Sequence, residues 1–332
     1  MVASPAAKPG ETVQVLINCS EAIQTADIFK FKAIDPNGYE LYTWSWPVIQ
    51  PEGKAAEQQQ NIEEEQPEIK ISETVNSVLA SAKEIEITFS KRDGTLLSVK
   101  NSKGNISLNG GPVSAGIDSE VTGTSWKKDE SGNFIFETTY SKYPEKVVWK
   151  LEKNGLLKME ANPLRGAKDV DFIGLSFNYP EEKCTGIKWM GRGPYRVWKN
   201  RLKGSNFGVG EKEYNNTITG ESFNELVYPE FKGYHGNLYW ATLETTESDF
   251  TVITETPNLY FQLFTPAKPK EVRDGVYPPF PEGDISFLYE IPAIGTKFQE
   301  ADLIGPTGQK GMYKGHYGDE GYPIKLWFDF RH

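Results

Sequence analysis

The chain has 332 residues, a net charge of −10 and an aromatic content of 13%. This length indicates two domains, or one large all-β domain with an attachment, and the 38% hydrophobic share is enough for a packed core. The acidic balance excludes the basic surface that a nucleic-acid partner requires, and no apolar run is long enough to span a membrane, so a neutral or weakly charged ligand fits best.

Residues 1–50 have the pattern of a small β unit. The predicted strands are Thr12–Asn18, Asp27–Ile34 and Leu41–Val48. The Asp35-Pro36-Asn37-Gly38 segment is typical of a turn between the last two. Tyr42, Trp44 and Trp46 share one face of the third strand because side chains alternate along a strand. We expect a buried sandwich face here, and a sugar-stacking platform is the alternative.

Residues 51–70 are predicted to be an acidic linker. Gln and Glu dominate the segment, so it has little apolar surface to bury. Just beyond it, Asn76–Ala82 is interpreted as a short helix. From residue 71 to residue 332 the chain is predicted to be one large β domain.

That β domain has a dozen strand patterns and no convincing long helix. They are Ile85–Phe89, Leu96–Val99, Phe134–Tyr140, Val147–Leu151, Leu156–Ala161, Phe172–Tyr179, Gly186–Met190, Asn237–Leu243, Phe250–Thr254, Leu259–Phe264, Ile285–Ile291 and Ile324–Phe328. Such a set predicts a large two-sheet sandwich or barrel with antiparallel neighbours. One or two helical turns are expected in Arg196–Lys203, and residues 204–232 are predicted to be rich in loops.

The motifs of several enzyme classes are missing from the sequence. The three histidines are His235, His316 and His332, and no two have the spacing of metal ligands. No nucleophile elbow, Walker loop or dinucleotide fingerprint is present. Paired carboxyl groups could hydrolyse a glycoside, and the acidic candidates beside aromatic or histidine neighbours are Glu230, Asp319 and Glu320. Surface or turn-capping roles are the competing interpretation of all three.

The segment from Trp189 to Arg201, Trp-Met-Gly-Arg-Gly-Pro-Tyr-Arg-Val-Trp-Lys-Asn-Arg, carries a specific resemblance. It resembles the Trp-x-Gly-x-Gly-Pro-x-Glu-x-Tyr-x-Asp-Arg motif of family 2 β-galactosidases. The matching residues are Trp189, Gly191, Gly193, Pro194 and Arg201. Trp198 replaces the family's Tyr, Arg196 stands at its Glu position and Asn200 at its Asp position. The family motif belongs to a C-terminal, mutarotase-like domain.

A second stretch of the chain, residues 228–240, resembles the family pattern Pro-Gln-Glu-x-Gly-Asn-Arg-x-Asp-Val-Arg-Trp. Pro229, Gly233 and Trp240 match in register. His235 stands at the Arg position, Asn237 at the Asp position and Phe231 at the Glu position. The glycines and prolines are retained while charged positions differ, so the resemblance implies the fold and argues against assigning lactose as the substrate.

The resemblance implies an all-β chain of two parts. Residues 1–50 look like the end of an immunoglobulin-like β-sandwich, and residues 71–332 look like an antiparallel, galactose-mutarotase-like supersandwich. In the family the two catalytic glutamates lie on a (β/α)8 barrel that precedes both parts. This chain has no such alternating region. We therefore expect no catalytic residue in it, and we expect that barrel as its partner.

Eight residues are candidates for binding carbohydrate or lining a substrate cleft. They are Arg192, Tyr195, Arg196, Trp198, Arg201, Glu230, His235 and Tyr289. Tyr289, or Phe287 beside it, could supply the aromatic residue that some relatives place in the substrate pocket. For each candidate a purely structural role is the competing interpretation.

The leading hypothesis is a non-catalytic portion of a glycoside hydrolase that contacts a galactose-containing glycan. A stand-alone carbohydrate-binding module and an aldose mutarotase-like enzyme are the alternatives. No cofactor is predicted, and a structural metal ion is left open. No nucleic-acid or membrane partner is expected. The compartment is not identified, and a periplasmic or secreted parent would suit glycan breakdown.

Overall fold

The chain forms two compact units, Met1–Ile49 and Gln50–His332. The computed structural model describes residues 2, 5–19, 21–59, 67–164, 168–217, 229–268, 277–296, 298–312 and 322–331. Within these ranges no helix is long and apolar enough to cross a bilayer.

The first unit is built on a two-stranded antiparallel hairpin, β1 (Ile28–Ile34) and β2 (Glu40–Pro47), after a 3-10 helix at Glu21–Thr25. The predicted turn is confirmed, because Asp35 Oδ1 accepts hydrogen bonds from the amides of Asn37 (2.9 Å) and Tyr39 (2.8 Å). The strand predicted at Thr12–Asn18 is wrong. No described strand pairs with it, and an unpaired strand leaves its backbone groups without partners. The immunoglobulin-like assignment stays a prediction.

The aromatic face of the hairpin is exposed. Trp46 stacks on Phe29 and Trp44 lies against Phe31, each at a centroid distance of 5.7 Å. Trp44 and Trp46 keep 40% and 47% of their surface in solvent, and Tyr42 keeps 45%. The prediction of a buried face is therefore wrong for the described chain, because no second sheet of this unit lies over it.

The described part of the second unit contains one α-helix, three 3-10 turns, nineteen strands of three residues or more and one two-residue strand. The helix is α1 (Pro51–Gln59), and 3-10 turns lie at Glu181–Lys183, Ala301–Leu303 and Pro306–Gly308. The strands are β3 (Lys70–Glu73), β4 (Ser77–Ala82), β5 (Ile85–Ser90), β6 (Leu96–Asn101), β7 (Gly104–Ile106), β8 (Asn109–Ala115), β9 (Val121–Lys128), β10 (Phe134–Tyr140), β11 (Lys146–Leu151), β12 (Leu157–Leu164), β13 (Lys168–Val170), β14 (Ile173–Asn178), β15 (Cys184–Gly193), β16 (Asn206–Glu213), β17 (Gly233–Thr245), β18 (Phe250–Thr254), β19 (Tyr260–Leu263), β20 (Ile285–Glu290), β21 (Gly311–Met312) and β22 (Tyr322–Asp329).

Two sheets dominate the second unit. A 13-stranded sheet has the order β8-β14-β20-β19-β17-β18-β22-β12-β11-β10-β9, with β15 joining β17 to β16. A five-stranded sheet has the order β3-β4-β5-β6-β7, and β13 pairs with β21. The described strand pairs are antiparallel, for example β10 with β11 and β17 with β18. The predicted all-β class with a large antiparallel sheet is confirmed.

The main core lies between the two sheets. Phe89 of β5 packs on Phe136 of β10 at 4.7 Å and on Trp149 of β11 at 5.5 Å. Trp149 in turn packs on Phe328 of β22 at 5.5 Å, and all four side chains are fully buried. Burying large aromatic side chains provides much of the hydrophobic stabilisation of a sandwich.

Three local predictions differ from this structure. The helix predicted at Asn76–Ala82 is wrong: Ser77–Ala82 is β4, because Val78, Ala80 and Ala82 alternate inward and pair with β5. Within the predicted linker, Pro51–Gln59 is helical, with proline at the first helical position and Ala55 buried in a small core cluster. The predicted loop region contains β16, which pairs along its whole length with β15.

Candidate functional site

The Gly-x-Gly motif forms a slot for Trp189. The Trp189 side chain is 1% exposed in the middle of β15. A Cβ atom added to Gly193 would lie 2.4 Å from the Trp189 ring, and one added to Gly210 of β16 would lie 2.5 Å from it. Any larger residue at either position would have to displace the ring. The two glycines therefore fix Trp189 below the loop that follows.

The loop after Gly193 turns sharply instead of forming the predicted helical turns. The Arg201 amide donates to the Trp198 carbonyl at 2.8 Å, so Trp198 and Arg201 close a two-residue turn. Trp198 is 4% exposed because it packs edge-on against Tyr234 and Phe280, at 5.5 and 5.8 Å. This tertiary packing overrides the local preference for helix.

The turn residues hold the segment 290–296 in place. The Lys199 amide donates to the Pro292 carbonyl at 3.1 Å. Asn200 makes two hydrogen bonds to Ile294, donating from Nδ2 to its carbonyl (2.9 Å) and accepting from its amide at Oδ1 (3.0 Å). Arg201 Nη2 donates to the Gly295 carbonyl at 3.2 Å. We name residues 198–201 the brace and residues 290–296 the wall.

The wall borders a cleft of about 800 Å³. This volume is in the range of small-molecule sites. Its apolar lining comes from Tyr277 and from several prolines and aliphatic residues, namely Val170, Pro278, Pro279, Ile291, Pro292, Ala293, Ala301 and Pro306. Its charged lining consists of Asp169, Asp171, Glu300, Asp302, Lys199 and Lys310.

The charges in the cleft leave a negative surplus. Lys199 Nζ pairs with Glu290 Oε1 at 2.6 Å, and Lys310 Nζ pairs with Asp171 Oδ2 at 3.0 Å. Among the described residues, Asp169, Glu300 and Asp302 make no ion pair. The cleft therefore disfavours anionic ligands relative to neutral or cationic ones. The described residues hold no cluster of potential metal ligands.

A buried polar cluster surrounds Arg196, which belongs to the loop that follows Gly193; we name this loop the motif loop. Arg196 Nε lies 3.5 Å from Glu230 Oε1. Lys212 Nζ donates to the Glu230 carbonyl at 2.6 Å and lies 3.1 Å from His235 Nε2. It also lies 4.9 Å from the centre of the Trp189 ring. We name Arg196, Lys212, Glu230 and His235 the cluster.

Burial shifts the protonation of the cluster. Burial lowers the pKa of Lys212 to about 7, the Glu230 carboxylate partly opposes this, and the Arg196 cation adds to it. Burial and then the Lys212 cation hold the pKa of His235 well below its usual value. His235 is therefore neutral near pH 7, with Nε2 as the acceptor facing Lys212.

The structure brings some of the predicted residues together and separates others. Arg196, Glu230 and His235 meet in the cluster, and Trp198 and Arg201 form part of the brace. Arg192 Nη1 donates to the Ser205 carbonyl at 3.4 Å, and Tyr195 is 49% exposed. Tyr289 packs against the core, and its hydroxyl donates to the Pro323 carbonyl.

Other candidates lie outside the described residues or were missed. His316, Asp319 and Glu320 fall outside the described residues, and Phe287 is fully buried in the core. Carbohydrate contact by the eight candidates stays a prediction. Sequence reasoning missed Lys212 and Asp302. Nothing in the local pattern distinguished Lys212 from its exposed neighbours Glu211 and Glu213.

Comparison with known proteins places the chain in a family. The family model described as "Beta galactosidase small chain" matches residues 81–272, more than half of the chain. No curated protein matches it. The solved α-N-acetylgalactosaminidase NagBb of Bifidobacterium bifidum aligns at 11% identity with a TM-score of 0.37. The alignment covers 76% of this chain and 36% of that one, so the chain spans about a third of that protein.

A GalM/aldose epimerase homologue from C. elegans aligns at 8% identity with a TM-score of 0.33, over 76% of this chain and 98% of that one. At these scores neither alignment supports a statement about activity. The family match covers β5 to β19, the motif loop and the cluster. The chain therefore belongs to the β-galactosidase small chain family.

Proposed function

We propose that this chain is the non-catalytic, C-terminal portion of a β-galactosidase-type glycoside hydrolase, and that its cleft contacts the carbohydrate substrate. The observation that carries the proposal is the braced wall. The last three residues of the family motif, 199–201, hold residues 292–295 of the wall. Residues 291–293 of the same wall border the cleft. Because the motif positions the wall of a cleft, we infer that it contributes to ligand binding and not only to core packing.

The bond-breaking step is assigned to another part of the enzyme. Glycosidases need two carboxyl groups on either side of the scissile bond, one of them protonated. In the family these glutamates lie on a (β/α)8 barrel, and the described strands of this chain pair antiparallel with no alternating helices. We infer that the chain completes the architecture of the barrel and walls its substrate cleft.

The lining of the cleft suits a sugar without acid groups. Tyr277 and the prolines present apolar surface on which sugar rings can stack. The three unpaired carboxylates, Asp169, Glu300 and Asp302, can accept hydrogen bonds from sugar hydroxyls and repel uronic acids. A galactose-containing glycan is the ligand class that fits both features and the family.

Calorimetric titration of the 332-residue chain with a neutral galactose-containing trisaccharide tests the cleft. We expect binding to the chain and its loss in Ala301→Trp, which fills the cleft. Ala56→Trp, on the exposed face of α1, is the matched control and should bind as the unaltered chain does. Binding that survives Ala301→Trp would place the sugar elsewhere and refute the cleft assignment.

Two activity assays separate this proposal from its alternatives. A chromogenic galactoside should stay intact with the chain alone, and turnover would refute the non-catalytic assignment. The interconversion of galactose anomers should proceed at the buffer rate. Acceleration of that reaction, lost in a cluster variant, would favour the mutarotase-like alternative.

A further inference from the structure

The Lys212 ammonium is a buried cation. Lys212 is 5% exposed, and no described carboxylate forms an ion pair with it. Its three N–H donors face the Glu230 carbonyl, His235 Nε2 and the Trp189 ring. These contacts satisfy the donors geometrically, but they supply no negative charge. A buried cation in such surroundings is costly to keep.

The nearest carboxylate is shared between two cations. Glu230 Oε1 pairs loosely with Arg196, while its Oε2 is buried without a hydrogen-bond partner among the described residues. Charged Lys212 adds a second cation beside the same residue. His235 adds none, because it is neutral. The cluster therefore has a net charge of +1 when Lys212 is charged and 0 when it is neutral.

The other charged groups near Lys212 do not change this balance. On the same strand, Glu211 and Glu213 point outward and are exposed. On the segment of Glu230, Lys232 Nζ pairs with Glu181 Oε1 at 2.5 Å, and the pair is neutral as a unit. Among the described residues, Glu230 and Arg196 are the charged groups that act on the Lys212 ammonium.

The cluster is connected to the cleft through short contacts. Arg196 belongs to the motif loop, and the next amide, that of Val197, donates to the Tyr234 carbonyl at 2.8 Å. The brace follows directly, and Asn200 then holds Ile294 of the wall. Only three residues of chain thus separate Arg196 from Asn200, which holds Ile294.

We propose that the Lys212 proton regulates the brace: charged Lys212 competes with Arg196 for Glu230 and loosens the motif loop, and neutral Lys212 lets the Arg196–Glu230 pair close and tightens the wall. Opening of the loop breaks the Arg196–Glu230 pair and loosens the Glu230 segment that covers Lys212. Lys212 then returns to water, where it binds its proton more strongly. Opening is therefore favoured as the pH falls. The lowered pKa of Lys212 places this transition near neutral pH, and protonation of His235 in acid acts in the same direction.

Hydrogen exchange measured at several pH values, corrected for the intrinsic rate, tests the regulation. Protection of the Val197 and Ile294 amides should rise about tenfold between pH 6 and pH 8.5. The difference between the pKa of Lys212 in the closed and open states limits this rise to about 30-fold. In Lys212→Met the rise should fall below about twofold. Lys203→Met, an exposed lysine of the same loop, is the control and should behave as the unaltered chain. The Val148 amide of β11 provides an internal reference for global opening.

The proposal fails if the rise persists in Lys212→Met or is missing from the unaltered chain. A second measurement covers the case in which Lys212→Met does not fold. The NMR titration of the Lys212 Nζ in the unaltered chain should have its midpoint near pH 7, and a midpoint above about pH 9.5 would refute the regulation.

Only the last step rests on the proposed function. If the cleft binds sugar, trisaccharide affinity should rise severalfold between pH 6 and pH 8.5 in the unaltered chain and stay flat in Lys212→Met. If no sugar binds at any pH, the proposed function fails, while the exchange measurements still decide the regulation. Flat affinity together with pH-dependent protection would contradict the link from brace to cleft.

Discussion

Asn200 offers the sharpest test of the brace. Its side chain makes both a donor and an acceptor bond to Ile294, at 2.9 and 3.0 Å, and no other described side chain bonds to that residue. Each such bond contributes about 1 kcal/mol. Asn200→Ala should therefore cost about 2 kcal/mol locally, which corresponds to about 30-fold less protection of the Ile294 amide from exchange.

Two further variants separate the Asn200 hydrogen bonds from other effects on Ile294. Asn200→Asp keeps the acceptor for the Ile294 amide but places a carboxylate against the Ile294 carbonyl. Its local cost should therefore be at least about half of the 2 kcal/mol expected for Asn200→Ala. Asn105→Ala on the exposed β7 should leave Ile294 unaffected. If Ile294 protection in Asn200→Ala stays within about threefold of the unaltered chain, the wall is held by other contacts and the brace is refuted.

Three further predictions follow from other contacts. Gly210→Ala should destabilise the chain by about 1–3 kcal/mol in denaturant unfolding because its Cβ meets the Trp189 ring, and the cost should shrink in a Trp189→Phe background; equal costs in both backgrounds would refute the slot. Burial raises the pKa of Glu247, but hydrogen bonds from Lys183 and Ser107 outweigh burial, so the pKa is lowered. The stabilisation by this carboxylate should be present at neutral pH and lost as the pH falls below the ordinary glutamate pKa of about 4.3. In Glu247→Gln the melting temperature should depend less on pH in that acid range, and an unchanged pH dependence would contradict this. A galacturonate trisaccharide should bind the cleft at least about fivefold more weakly than a neutral one. The difference in affinity should shrink in the double variant Glu300→Gln/Asp302→Asn, and an unchanged difference would refute the charge argument.

Strand alternation predicted much of the fold. The bounds of β10 and β18 agree with the predicted Phe134–Tyr140 and Phe250–Thr254. The first five residues of β10 alternate between buried and half-buried side chains, and β18 is an almost continuous buried run. Strands such as β9 and β16 were missed because they are polar and mostly exposed, and only pairing with a neighbour makes them strands. The helix predicted at Asn76–Ala82 is wrong because pairing with β5 makes this segment a strand.

The candidate site could be predicted only in part. The motif loop was found because its glycines, proline and tryptophan resemble the motif of family 2 β-galactosidases. The cleft was not found, because Lys199 and Asp302 come together through contacts more than a hundred residues apart. Lys212 escaped for a related reason: a lysine in a polar strand looks exposed until the neighbouring segment of Glu230 covers it.

An NMR titration with a neutral galactose-containing trisaccharide tests whether carbohydrate binds this chain at the braced cleft. We expect saturable shifts of amide signals along the wall and at Ala301 and Gly311, with the hairpin β1–β2 unaffected. Shifts confined to the exposed Trp44 and Trp46 face, or no shifts at any concentration, would contradict it.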